Sequence, residues 1–190
     1  EILVEKNRKP VDINEFNEAE KSHRNLSRTA SAGLFRGGLA DTSEQSTKYH
    51  TATHLLLSAL RKVLGTHVYQ KGSNITPERL RLDFPNEEKL TDEQIKEVEH
   101  IVNEQIRLKL PITFEEMDKQ DALSIVPFAA FEEKYGDILK VYYIGPKDNP
   151  FSIEICNGPH VKNTSQLGEF KIVKQESIGS GIKRIKAILI

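Results

Sequence analysis

Two short stretches constrain this chain more than any other feature: His50-Thr-Ala-Thr-His54 and Cys156-Asn-Gly-Pro-His160. The first places two imidazoles four residues apart in a segment that reads as helix. They therefore share a face and lie ~6 Å apart at the backbone, within reach of one ion. Alone, that spacing is a weak signal, because one buried and one surface histidine fit it equally well. The second stretch follows an alternating apolar run, residues 151–155, and holds the only cysteine in the chain. Gly158 and Pro159 make it a tight loop that turns both outer side chains the same way. A cysteine with three histidines is a soft-to-borderline donor set, better suited to zinc than to magnesium or calcium. One metal site then requires a fold in which a helix face meets a loop after a strand. His23, His67 and His100 lack such partners and read as ordinary histidines.

The periodicities supply the elements. Asp41, Thr42 and Ser43 offer N-cap oxygens, and Leu55, Leu56, Ala59, Leu60, Val63 and Leu64 recur at helical spacing before Gly65 stops the helix. Thr91 with Gln94 forms a capping-box pair. Ile95, Val98, Ile101, Val102, Ile106 and Leu110 form the buried stripe of a second helix, ended by Pro111. Strands are predicted over residues 67–70, around Ile75 and Thr76, and over 80–84, 112–116, 138–144, 151–155, 169–175 and 182–190, with a short helix near residues 127–134. This is an α+β chain: a mostly antiparallel sheet packed by two main helices, with the zinc site between a helix and a strand-following loop. Residues 1–40 read as an N-terminal appendage, with a weak helix over 12–29 and a glycine-rich loop over 32–40. Residues 41–190 read as the functional domain.

The chain starts at Glu1 and its only methionine is Met117, so it is expected to be a piece of a longer polypeptide. One cysteine allows no internal disulfide, which fits a reducing, cytoplasmic setting. No run of ~20 apolar residues suggests a membrane span. A net charge of −1 does not advertise a nucleic-acid binder. The charges are nonetheless segregated: residues 87–104 are strongly acidic, while Lys183, Arg184 and Lys186 are basic.

The ordered motifs HTATH, QKGSNITPERLRLDF, CNGPH with VKNTSQLGEF, and a closing GSGIKRIKA resemble the editing domain of alanyl-tRNA synthetase. SRTASAGLFRGGLAD resembles the segment that precedes that domain. The resemblance implies hydrolysis of serine or glycine wrongly esterified to alanine tRNA. It also implies zinc held by His50, His54, Cys156 and His160, tRNA as partner, and the remainder of a synthetase chain as neighbour. Gln70 falls on the family's glutamine after the first helix, and Lys71, Gly72, Ser73 and Asn74 form the polar loop of the pocket. The loop departs from the usual alanyl C-G-G-T-H, and its G-P-H-V form also looks like the threonyl family. A threonyl-type editing domain and a non-catalytic, zinc-stapled tRNA-binding module therefore remain as alternatives.

Chemistry adds further expectations. Four protein ligands normally close a structural zinc, whereas catalytic sites keep a position open. Zinc is thus expected to organise the pocket, with Gln70 and backbone groups positioning substrate and water; no general base stands out. Serine exceeds alanine by a hydroxyl, so discrimination requires a polar contact left unpaired by alanine. Gln70, Thr51 and Thr53 are the candidates. Arg79, Arg81, Lys183 and Arg184 are candidates for holding the tRNA end through its phosphates.

Overall fold

The computed structural model describes residue 18 and residues 39–128, 136–179 and 181–190. Apart from residue 18, the expected helix over 12–29 lies outside these residues, as does most of the loop over 32–40. Residues 36–190 group into one unit.

Helix α1, Glu44–Leu64, starts where the Ser43 hydroxyl accepts the Ser46 N–H, and ends at Gly65, whose φ of 117° suits glycine. Leu55, Leu56, Ala59 and Leu60 on it are fully buried. Each such leucine contributes about 2–3 kcal/mol through removal of apolar surface from water. Helix α2, Asp92–Arg107, carries the complete capping box between Thr91 and Gln94 and buries Val98, Val102 and Ile106. Before Pro111 the chain reverses through Lys109, whose φ is 52°.

The strands form two antiparallel sheets rather than one. Strands β1 (Gly72–Thr76), β2 (Arg79–Pro85), β6 (Phe170–Gly179) and β7 (Ile182–Leu189) make a four-stranded sheet in the order β1-β2-β7-β6. Strands β3 (Ile112–Asp118), β4 (Ile138–Ile144) and β5 (Ser152–Ile155) make a three-stranded sheet in that order. The main core joins α1 and α2 to the inner face of the first sheet, where Leu80, Leu82, Phe84 and Ile185 are fully buried. A smaller core sits under the second sheet, where Ala122 and Val126 meet Leu139, Val141 and Tyr143.

One expectation is corrected. Residues 67–70 form no strand; Val68 is buried, but it hydrogen-bonds back to Gly65 in a turn. The short helix expected near 127–134 falls mostly outside the described residues; ahead of it a helix α3 spans Lys119–Ile125. Asp118 opens α3, and the chain leaves it at Val126, just before Pro127. Among the described residues no helix is long and apolar enough to cross a membrane.

Candidate metal centre

The three-stranded sheet has two unlike faces. Pairing puts Phe114 opposite Tyr142 and Tyr142 opposite Glu154, all on one face, with Cys156 continuing that face beyond β5. Helix α1 packs over the β5 end of it. Glu154 accepts from the Arg61 guanidinium at 2.6 Å, and both side chains are about nine-tenths buried. This ion pair ties α1 to the sheet two residues before Cys156.

Between α1 and that face, the donor atoms of His50, His54, Cys156 and His160 all lie within 4.8 Å of one another. The ring centroids of His50 and His160 are 4.3 Å apart, those of His54 and His160 4.8 Å, and those of His50 and His54 5.1 Å. Cys156 Sγ is 3.2 Å from His50 Nε2. The sequence reading brought these four together, and the structure does the same.

The surroundings fix which nitrogen of each ring is free. His50 Nδ1 faces the Pro159 carbonyl at 3.0 Å, a partner that can only accept, so Nδ1 carries the proton and Nε2 keeps its lone pair. His160 Nδ1 lies 3.1 Å from Thr51 Oγ1, while His160 Nε2 is buried with no hydrogen-bond partner among the described residues. Were Nε2 protonated, a buried donor would go unsatisfied, at about 1–3 kcal/mol. The satisfied arrangement has His160 Nδ1–H donating to Thr51 Oγ1. That hydroxyl also accepts the Val161 N–H and gives its own proton to the Thr47 carbonyl. Both imidazoles thus keep a bare Nε2, and that of His50 faces the cysteine sulfur. Outer hydrogen bonds of this kind orient metal-binding histidines.

Burial pushes the His50 imidazole down to about 4. Burial and the neighbouring His50 and His54 push His160 well below its ordinary value. Both rings are therefore neutral at neutral pH, the form that binds metal. Three imidazoles and a thiol around one buried orphan nitrogen fit a divalent cation, and His50, His54, Cys156 and His160 would hold it.

Gly158 is required by close approach. A Cβ there would lie 2.6 Å from His50 Nδ1 and 2.9 Å from Leu39 Cδ1. Its N–H also points at Cys156 Sγ, 3.5 Å away, as a weak donor to the sulfur. Leu39 in turn bridges Ile75 on β1, so the loop, the chain before α1 and the first sheet meet here.

The remaining expected site residues separate into groups. Thr51 joins the centre as the support of His160. Thr53 does not: it is buried and its hydroxyl donates to the Tyr49 carbonyl at 2.8 Å, within its own helix. Gln70 Nε2 donates to Ser73 Oγ at 3.3 Å. Lys71 lies 5.2 Å above the Tyr69 ring, which stacks on Phe128. Arg79 donates to both the carbonyl and the side-chain oxygen of Asn74. Gly72 opposes Asp83 across the β1–β2 pair. Arg184 grips Asp83 with two hydrogen bonds, of 2.7 and 2.9 Å. Arg81 is half-buried beside them, 3.8 Å from Asp83. Lys183 faces inward: it is 4% exposed and donates to the carbonyls of Asn86 and Glu87, so its ammonium holds a loop. The sequence carries the signal for this, because period-two alternation puts Lys183 on the face of Ile185 and Ala187.

Sequence reasoning did not single out Tyr142, whose ring lies 4.4 Å from that of His160, or the Pro159 carbonyl. A tyrosine in an alternating strand carries no mark of such a neighbour, since the contact spans two elements.

Comparison with known proteins gives this arrangement a family. Residues 139–186, which include Tyr142, Cys156 and His160, match the threonyl and alanyl tRNA synthetase second additional domain. Fold and site thus define a domain of the aminoacyl-tRNA synthetase kind. The chain is 55% identical over 179 residues to the alanine–tRNA ligase of Treponema denticola, covering 94% of this chain and 29% of that protein. It is 53% identical over 180 residues to that of Borreliella burgdorferi, covering 95% and 30%. It is 49% identical over 141 residues to that of Petrotoga mobilis, covering 74% and 16%. The family resemblance read from the motifs holds: this is an alanyl-tRNA synthetase editing-type domain. The chain spans less than a third of the length of these relatives.

Proposed function

We propose that residues 41–190 form a hydrolytic editing domain that removes serine and glycine wrongly esterified to alanine tRNA, within a longer, ATP-using synthetase. The observation that carries this reading is the gathering of the donor atoms of His50, His54, Cys156 and His160 within 4.8 Å of one another, with Nδ1 of His50 and of His160 each held by a protein oxygen. The likeness to alanine–tRNA ligases across most of the chain supports the substrate.

The metal we assign is zinc, on the softness of the donor set. When bound it supplies Lewis acidity and favours ionisation of water near pH 7. His50 and His160 are rigid donors, each fixed from behind. His54 is less buried, and neither of its ring nitrogens has a hydrogen-bond partner among the described residues, so it is the ligand best able to yield a position. Thr51 keeps His160 in one tautomer and one orientation. Its hydroxyl is saturated by three partners, so its task is positioning and not contact with substrate. Thr53, bonded within its helix, is no better placed to read a serine hydroxyl. That task passes to Gln70, whose side-chain amide donates to Ser73 Oγ at 3.3 Å and keeps its own oxygen for a substrate hydroxyl. Alanine offers no hydroxyl for such a contact, a difference that favours hydrolysis of the seryl ester over the cognate one. Lys71, Arg79 and Arg81, with Gly72 and Asn74 shaping the loop, form the phosphate-facing group; Arg184 and Lys183 hold that surface in place through Asp83 and the loop at residues 86–87.

The test is a deacylation series with the metal-loaded protein and alanine tRNA carrying serine, glycine or alanine, with threonyl-tRNA alongside. Loss of the seryl and glycyl esters with alanyl ester spared is the expected result. Loss from threonyl-tRNA alone would move the assignment to a threonyl-type domain. No hydrolysis at all would leave a zinc-stapled tRNA-binding module.

A further inference from the structure

The face of the three-stranded sheet that holds Cys156 does not stop at the metal centre. It continues toward the edge strand β3 as Tyr142 and then Phe114, a cross-strand pair. Tyr142 lies 4.4 Å from the His160 ring and 5.2 Å from the Phe114 ring, all centroid to centroid. Phe114 is 49% exposed, unusual for a phenylalanine beside a buried polar cluster. The Lys140 ammonium stands 5.0 Å from the Phe114 ring and keeps only a loose ion pair, 3.4 Å, with Glu116.

We propose that Phe114 and Tyr142 form a stacking shelf for the terminal base of a single-stranded RNA end, with Lys140 beside it for the adjoining phosphate. Three observations select this occupant. The shelf is aromatic, two neighbouring rings inclined at 36°, and either ring face suits a base whatever its sequence. A cation sits at its rim, and a nucleic-acid strand is the polyanion complementary to it. The shelf is continuous with His160, so a base resting on it leaves the ribose of the same nucleotide pointing toward the metal centre, where an ester at that ribose would be cleaved. The proposal rests on the editing reading above and names the part of the substrate that the metal ligands do not touch.

The test separates the two. A short RNA ending in CCA, and the same strand with its last base removed to leave an abasic ribose, are titrated against the metal-loaded protein by fluorescence anisotropy. The native protein is expected to bind the complete strand about tenfold more tightly, the low end of what one stacked base contributes. Phe114→Leu keeps an apolar side chain at an exposed edge position and should erase that preference at unchanged metal content; Phe114→Trp should restore it. Equal binding of the two strands by the native protein, or an undiminished preference in Phe114→Leu, would overturn the shelf. Deacylation of seryl-tRNA is scored separately. A preserved base preference without hydrolysis refutes the editing reading and leaves the shelf standing, and hydrolysis without base preference does the reverse.

Discussion

The hydroxyl of Thr51 and Nδ1 of His160 face each other at 3.1 Å, and this contact decides which nitrogen of His160 is offered to a metal. Thr51→Val keeps the shape of the side chain but removes the acceptor, leaving His160 free to take the wrong tautomer. Metal affinity should fall about 10–100-fold, as for other outer-sphere partners of ligating histidines. Thr51→Ser should recover most of it. Competition with a chromophoric chelator reads the affinity, and an unchanged value in Thr51→Val would remove the hydroxyl from this role.

Gly158 has no room for a side chain because His50 and Leu39 occupy the space. Gly158→Ala must push the His50 ring or the loop aside, at about 3 kcal/mol of overpacking. In a chain of this size, that is a drop in melting temperature of roughly 10 °C. Metal content should fall with it. A variant that melts like the native protein and keeps its metal would show that the loop relaxes freely.

The pH response of the metal-free protein follows from His50. Its pKa falls from 6.5 to about 4 on folding, with burial as the cause. The unfolded chain therefore binds the proton first. Full stability is present above pH ~6.5 and is lost as pH falls through ~4, by about 3 kcal/mol at ~1.4 kcal/mol per unit. His160 shifts the same way and adds to the loss. Denaturant melts of the native protein and His50→Gln at pH 7, 6 and 5 isolate the His50 share. If both lose stability in parallel, His50 is not the group responsible.

Arg61 and Glu154 make the buried ion pair that anchors α1 to β5, and Arg61 also donates to the Val68 carbonyl. Burial pushes the Glu154 carboxyl up, and Arg61 opposes that shift. Arg61→Met strands the carboxylate in the interior and should cost about 3–5 kcal/mol. Arg61→Met with Glu154→Gln removes the stranded charge and should regain a large part of that. The two chemical denaturation midpoints settle it; equal losses would mean the cost lies in packing and not in charge.

Much of this was legible before any coordinates. Thr91 and Gln94 announce α2 because a capping box is a local device, and the Leu55–Leu64 periodicity with Gly65 bounds α1 for the same reason. The four metal donors were readable because their residue types are rare and their spacings local on each side. What escaped is non-local. The division into two sheets depends on pairings such as Leu80 with Ala187, more than a hundred residues apart in the chain, which alternation cannot specify. The hydroxyl of Thr51 read as a substrate contact because its partners, His160 and Val161, arrive from the far end of the chain. Lys183 read as a phosphate contact through its charge, although its place in the β7 alternation pointed inward.

The central claim is that one metal, held by His50, His54, Cys156 and His160, supports ester hydrolysis. Zinc titrated into the metal-free protein, with hydrolysis of seryl-tRNA followed at each addition, tests it most directly. The account predicts a rate that climbs in proportion to zinc and breaks flat at about one ion per chain, the four-donor stoichiometry. Full activity before any zinc is added, or a rate that stays at the level of buffer after the first ion has bound, would contradict it.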